Sequence, residues 1–156
     1  MEDADCVAGL APFRGFIQER AAQLAAGRSL APAILFYGCR SPESDCLYAD
    51  LFKRWEQLGA VSLRYAFSRD VEKSEGCKYV QDRLYHDRAD VIEQFDAGAK
   101  LFVCGSRAVG DGVQECLIKI AKERQLALKG VEWDDVQARE WFDGLRNERF
   151  ATDVFA

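Results

Sequence analysis

The stretch Ala66-Phe67-Ser68-Arg69-Asp70 closes an apolar run and opens onto the polar segment Val71-Glu72-Lys73-Ser74-Glu75-Gly76-Cys77. Ser68 and Arg69 place a hydroxyl, a guanidinium and backbone N–H groups side by side. That set suits a phosphate monoester, because a guanidinium can meet two phosphate oxygens at once. Lys78 and Tyr79 follow, a cation and a ring able to stack on a base. The plainer reading is a turn with solvated polar side chains, and the residues alone leave both open. Gly38-Cys39-Arg40 also follows an apolar run. Arg40 there suits a pyrophosphate, or else pairs with Glu43 or Asp45. Cys104-Gly105-Ser106 ends a third such run. With no His nearby in sequence to activate it, Cys104 reads as a small buried apolar residue rather than a nucleophile. Asp153 and Phe155, near the end of the chain, could cover a flat ring or simply fray. His86 lies in a charged helical stretch and takes no role.

These residues need elements to hold them. Residues 12–27 have helical spacing of Phe13, Phe16, Ile17, Ala21 and Leu24, with Pro12 in the first turn and Gly27 as terminator. Residues 33–37 form a continuous apolar run, expected of a strand buried on both faces. Residues 46–59 read as a helix capped by Asp45 and ended by Gly59. Strands are expected at 61–67 and 100–105. A segment at 78–98 starts as loop and becomes helix up to Gly98. Two more helices follow, and the tail reads as a short strand. Strands alternating with helices imply a parallel sheet with right-handed crossovers, and ligands bind beyond the carboxyl ends of such strands. A further strand should precede the first helix, although residues 1–9 leave little room for it.

The chain has 156 residues, 49% of them hydrophobic, enough for one core. Its net charge of −5 argues against a nucleic-acid partner held by bulk charge. The six cysteines contain no CxxC pair, and one His stands among them, so no metal site is expected. The absence of a leader-like segment points to reduced thiols in the cytoplasm. No apolar run approaches membrane-spanning length. A GxGxxG dinucleotide fingerprint is absent.

Five segments in order, GLAPFRGFIQER, LFYGCRSPESDCLY, AFSRD followed by KYVQDRL, LFVCGS and ERFATDVFA, resemble the C-terminal NADP(H)-binding domain of the diflavin reductases. This group includes cytochrome P-450 reductase and the reductase parts of nitric-oxide synthase and sulfite reductase. The segments look most like the fungal self-sufficient cytochrome P-450 fatty-acid hydroxylases, in which haem and reductase share a chain. The resemblance spans residues 9–156. It implies a Rossmann-like α/β fold of the ferredoxin-NADP+ reductase type, with a parallel sheet of about five strands flanked by helices, as one domain cut from a larger flavoprotein.

By the same resemblance, Ser68 and Arg69 hold the 2′-phosphate of NADPH, with Lys78 and Tyr79 completing the pocket. Gln81 lies beside the adenosine ribose and Arg40 meets the pyrophosphate. Gly9 and Pro12 belong to the turn that approaches the pyrophosphate and nicotinamide, and Gly105 and Ser106 flank the nicotinamide end. Cys104 sits near the nicotinamide C4, Asp153 orients it and stabilises charge, and Phe155 covers the flavin ring. In this family NADPH passes hydride to FAD, and electrons then move through FMN to haem. The implied partner is an FAD-binding domain of the same protein. Without that domain, the surface near Cys104 and Phe155 invites self-association.

The sequence departs from the family at Val7-Ala8-Gly9, where Gly-Thr-Gly is usual, and at Phe155, where most members carry Trp. Val7 crowds a close backbone approach, or else the chain begins at a boundary within a larger protein, and the boundary is the expectation. Phe155 keeps an aromatic face but loses an N–H donor and stacking area. The alternative reading of the whole chain is a catalytically incompetent module that docks on a flavin domain.

Overall fold

The computed structural model describes residues 10–155. Position Gly9 and the expected first strand lie outside the described residues. The chain divides into two compact units, Met1–Arg83 and Leu84–Ala156.

In the first unit, helix α1 (Ala11–Ala25) opens with Pro12 in its first turn, where a missing N–H leaves no bond unmade. Gly27, at φ +83°, ends it. Strands β1 (Ile34–Cys39) and β2 (Ser62–Phe67) pair in parallel, from Ile34 opposite Ser62 to Cys39 opposite Phe67. Leu35, Tyr37 and Cys39 are buried while the alternate residues are half-buried, so β1 covers one face more fully than the two expected from its unbroken apolar run. Helix α2 (Ala49–Gln57) sends Phe52 and Trp55 into a core shared with Leu10, Ile17, Leu35 and Tyr37. Arg20 of α1 donates from Nε to the carbonyl of Ala60 at 2.8 Å, tying the helix to the start of β2.

The expected cap of α2 is not observed. Tyr48 occupies the N-cap in a left-handed conformation, with no side-chain cap bond. Asp45 instead accepts from the Arg40 and Ser41 N–H groups, at 2.7 and 3.3 Å. The carboxylate satisfies donors released at the end of β1, so it is unavailable to the helix.

After β2 come a 3-10 turn (Val71–Ser74) and helix α3 (Val80–His86). The expected single helix up to Gly98 is broken at Asp87, whose backbone leaves the helical region, and α4 (Arg88–Asp96) begins anew.

In the second unit, strand β3 (Leu101–Ser106) leads into the long helix α5 (Arg107–Lys129), then α6 (Asp135–Asp143) and strand β4 (Phe150–Phe155). A capping box of Asp134 and Gln137 opens α6. The tail forms the expected strand and pairs in parallel with β3. Phe142 of α6 is fully buried and meets Phe150 edge-on at 4.6 Å between centroids. Arg149 donates from Nη2 to the Ala99 carbonyl at 2.8 Å, pinning the start of β4. Side chains alternate along β3, and Phe102 turns outward with 53% exposure, contrary to the buried strand expected.

Among the described residues the strands form two parallel pairs, β1–β2 and β3–β4, and the expected sheet of about five is not seen. No described helix is long and apolar enough to cross a membrane.

Candidate functional site

Backbone pairing continues past the ends of β1 and β2. The Ser68 N–H donates to the Cys39 carbonyl and the Arg69 N–H to the Arg40 carbonyl, both at 2.9 Å. Arg40, Ser68 and Arg69 therefore leave the backbone from adjacent positions at the carboxyl ends of two parallel strands. The pairing of Arg40 with Asp45 is present as well, Nε to Oδ2 at 3.8 Å. At that distance the contact is an ion pair rather than a hydrogen bond, and the carboxylate accepts hydrogen bonds from the Arg40 and Ser41 N–H groups.

The next loop is held by residues that the sequence does not single out. Lys73 pairs with Asp70 at 2.8 Å and with Glu43 at 2.9 Å, linking the loop after β2 to the loop after β1. The bonds to Asp70 and then Glu43 push the Lys73 ammonium above its ordinary pKa. Ser74 is fully buried. Its Oγ accepts from the Phe67 N–H at 3.0 Å and donates to the Cys77 carbonyl at 2.7 Å. The Ser74 hydroxyl thus clamps the loop onto the end of β2. A serine in a polar stretch carries no periodic signal that would mark it.

Lys78 and Tyr79 emerge from this clamp. Lys78 Nζ lies 5.2 Å from the Tyr79 ring centroid, a cation–π contact. Tyr79 is 49% exposed, with its N–H donating to Asp82 Oδ2 at 2.8 Å. Gln81, in the first turn of α3, is half-buried. The start of α3 sits tightly on β1: a Cβ added at Gly38 would lie 2.8 Å from Val80 Cγ2. Glycine at 38 is what lets Lys78, Tyr79 and Gln81 approach this strand end.

In the second unit the register sets Cys104 opposite Asp153, Gly105 opposite Val154 and Ser106 opposite Phe155. Burial, and then the Asp153 carboxylate, push the Cys104 thiol above its ordinary pKa. Such a thiol keeps its proton and is a poor nucleophile. Ser106 is the N-cap of α5, its Oγ accepting from the Val109 N–H at 3.4 Å. A Cβ at Gly110 would lie 2.8 Å from Val154 Cγ1, so this glycine lets β4 lie against α5.

Parallel strands, three of which lead on to a helix, with cations and hydroxyls beyond their carboxyl ends, define an α/β nucleotide-binding class. Residues 8–115 match the oxidoreductase NAD-binding domain, and the chain belongs to that family. Among curated proteins, it is 61% identical over 153 residues to a bifunctional cytochrome P450/NADPH–P450 reductase of Fusarium oxysporum, covering 96% of this chain and 14% of that protein. It is 53% identical over 148 residues to a self-sufficient cytochrome P450 monooxygenase of Phanerodontia chrysosporium, covering 94% of this chain and 13% of that protein. A bifunctional cytochrome P450/NADPH–P450 reductase of Acremonium egyptiacum is 45% identical over 150 residues, covering 95% of this chain and 14% of the relative. The chain thus spans about one-seventh of the length of these relatives.

Proposed function

We propose that this chain is the NADPH-binding module of a cytochrome P-450 reductase fused to a haem monooxygenase. In the whole cytoplasmic protein, hydride would pass from NADPH to FAD, and electrons through FMN to haem for fatty-acid hydroxylation. The redox chemistry belongs to those cofactors. The module binds and orients the nucleotide, and is not expected to turn over by itself. On this reading residues 1–156 are a single Rossmann-like domain with a parallel sheet of about five strands. Its partner is the FAD-binding domain of the same protein, and alone the flavin-facing surface supports self-association.

The observation that carries the reading is the placement of Ser68 and Arg69 beside Arg40, fixed by two backbone hydrogen bonds beyond the strand ends. Arg69 takes the 2′-phosphate with Ser68, Lys78 and Tyr79 completing that pocket. Gln81 lies by the ribose, and Arg40 meets the pyrophosphate with Gly9 and Pro12 at the adjoining turn. Cys104, Gly105, Ser106 and Asp153 position the nicotinamide, and Phe155 covers the flavin.

Titration with NADPH and NADH tests this. The expected result is clear preference for NADPH, with Arg69→Ala weakening NADPH by about 2 kcal/mol, the scale of a charge-assisted hydrogen bond. Equal affinity for the two nucleotides would remove the assignment of Ser68 and Arg69. A second reading, an interaction module that docks on a flavin domain without catalysis, is favoured by Val7-Ala8 standing where the family has Gly-Thr. It gains if neither nucleotide binds while an isolated FAD domain does.

A further inference from the structure

The loop that carries Arg40 is bracketed by two cysteines, Cys39 at the end of β1 and Cys46 before α2. Neither is joined in a disulfide in the structure. Cys39 is 5% exposed and belongs to the core, and half-buried Cys46 packs against that same core beside Tyr65. Three contacts hold the bracket shut. Asp45 accepts the Arg40 N–H at 2.7 Å, and the Leu47 N–H donates to the Tyr37 hydroxyl at 3.0 Å. The Tyr37 and Tyr65 rings stand 5.8 Å apart across the β1–β2 pair. The Cys39 thiol reaches the Cys46 sulfur as a hydrogen-bond partner, and the Tyr65 hydroxyl does so as well.

We propose that Cys39 and Cys46 form a peroxide-oxidisable dithiol whose closure to a disulfide lowers the affinity of the adjoining Arg40 loop for a pyrophosphate-containing nucleotide. The affinity half rests on the function proposed above.

Cys46 is the attacking group. It is the more open of the two, and the Cys39 hydrogen bond holds its thiol below the ordinary value, with burial opposing. A hydrogen-bonded, partly accessible thiol next to a resolving cysteine is the arrangement that oxidises reversibly. The Cys46 thiolate attacks one oxygen of hydrogen peroxide, forming the S–O bond as the O–O bond breaks and hydroxide leaves to be protonated to water. Cys39 then attacks the sulfenic sulfur, the S–S bond forms and a second water departs with the two thiol protons accounted for. The peroxide is reduced by two electrons and the thiol pair oxidised by two. Bond formation between the sulfurs moves Cys46 against its neighbour Asp45, and Asp45 is what holds the Arg40 N–H, with the guanidinium 3.8 Å from its carboxylate.

The test treats the purified chain with stoichiometric hydrogen peroxide, maps thiols by mass, and titrates NADP+ before and after reduction with dithiothreitol. Trypsin cuts after Arg40, which separates Cys39 and Cys46 into different peptides unless they are bridged. The expected result is a linked pair of peptides two hydrogens lighter than their sum. NADP+ affinity should fall roughly fivefold or more, within the usual range of coupling between sites, and recover on reduction. Neither change should occur in Cys46→Ser. Conversion of Cys46 to sulfinic acid without a bridge overturns the proposal, as does a bridge that leaves affinity unchanged. If the reduced chain binds no NADP+, the nucleotide reading fails instead, and peptide mapping still decides whether the dithiol closes.

Discussion

Cys104 and Asp153 are direct partners across the parallel β3–β4 pair, although 48 positions separate them in the chain. A carboxylate fixed opposite a thiol favours the protonated form of that thiol, and burial adds to the effect. The pair can therefore hold a proton and a fixed negative charge side by side.

Replacing Asp153 with Asn should let Cys104 ionise at lower pH. The midpoint should stay above the ordinary thiol value, since burial is the larger cause. Alkylation rates of the Cys104 peptide, followed by mass against pH, measure this. The sign for stability follows from the same shift. The folded chain keeps this proton longer than the unfolded one, so the group's contribution is complete at neutral pH. It declines as pH rises above the ordinary value of 9.0 toward the folded value, and Asp153→Asn should narrow that decline.

Gly38→Ala should both destabilise the chain and weaken NADPH binding, because its new Cβ would collide with Val80 at the start of α3. Overpacking of this kind costs about 1–3 kcal/mol. Chemical denaturation of the single variant and of Gly38→Ala combined with Val80→Ala distinguishes a local clash from a general effect. The double variant should regain part of the loss.

Ser74→Ala leaves the buried Phe67 N–H and Cys77 carbonyl without the hydroxyl that joins them. The expected loss is about 1–3 kcal/mol, the cost of stranding buried polar groups. Faster exchange of the Phe67 amide hydrogen would localise the effect to the clamp. Lys78 and Tyr79 lie just beyond it, so nucleotide affinity should fall in parallel.

Gly110→Ala should loosen the end of β4 by pushing on Val154. Hydrogen exchange at residues 152–155 should quicken. The Cys104 thiol should also move toward its ordinary value as Asp153 is displaced, in the same alkylation assay as above. An unchanged Cys104 profile would mean that β4 keeps its register despite the clash.

Much of the scaffold is written in local pattern. Pro12 and Gly27 bracket α1, apolar runs mark β1, β2 and β3, and the order of elements implies parallel pairing. The residue types at the strand ends likewise pick out the site proposed for a nucleotide, since Ser68, Arg69 and Arg40 each follow an apolar run. These features depend on neighbours a few positions away, which a chain displays without folding.

Tertiary structure decided how those ends are shared out. Asp45 reads as a helix cap, yet it serves the strand-end donors of Arg40 and Ser41, because satisfying partly buried N–H groups outweighs capping an accessible helix end. Ser74 matters through its bonds to Phe67 and Cys77, and Gly38 and Gly110 through close approach to Val80 and Val154, and no periodicity foretells contacts of that kind. The meetings of Cys39 with Cys46 and of Cys104 with Asp153 are set by a loop closure and by strand register. Register is settled by the packing of whole strands rather than by any residue in the pair, so residue types were legible in the chain and their partners only in the fold.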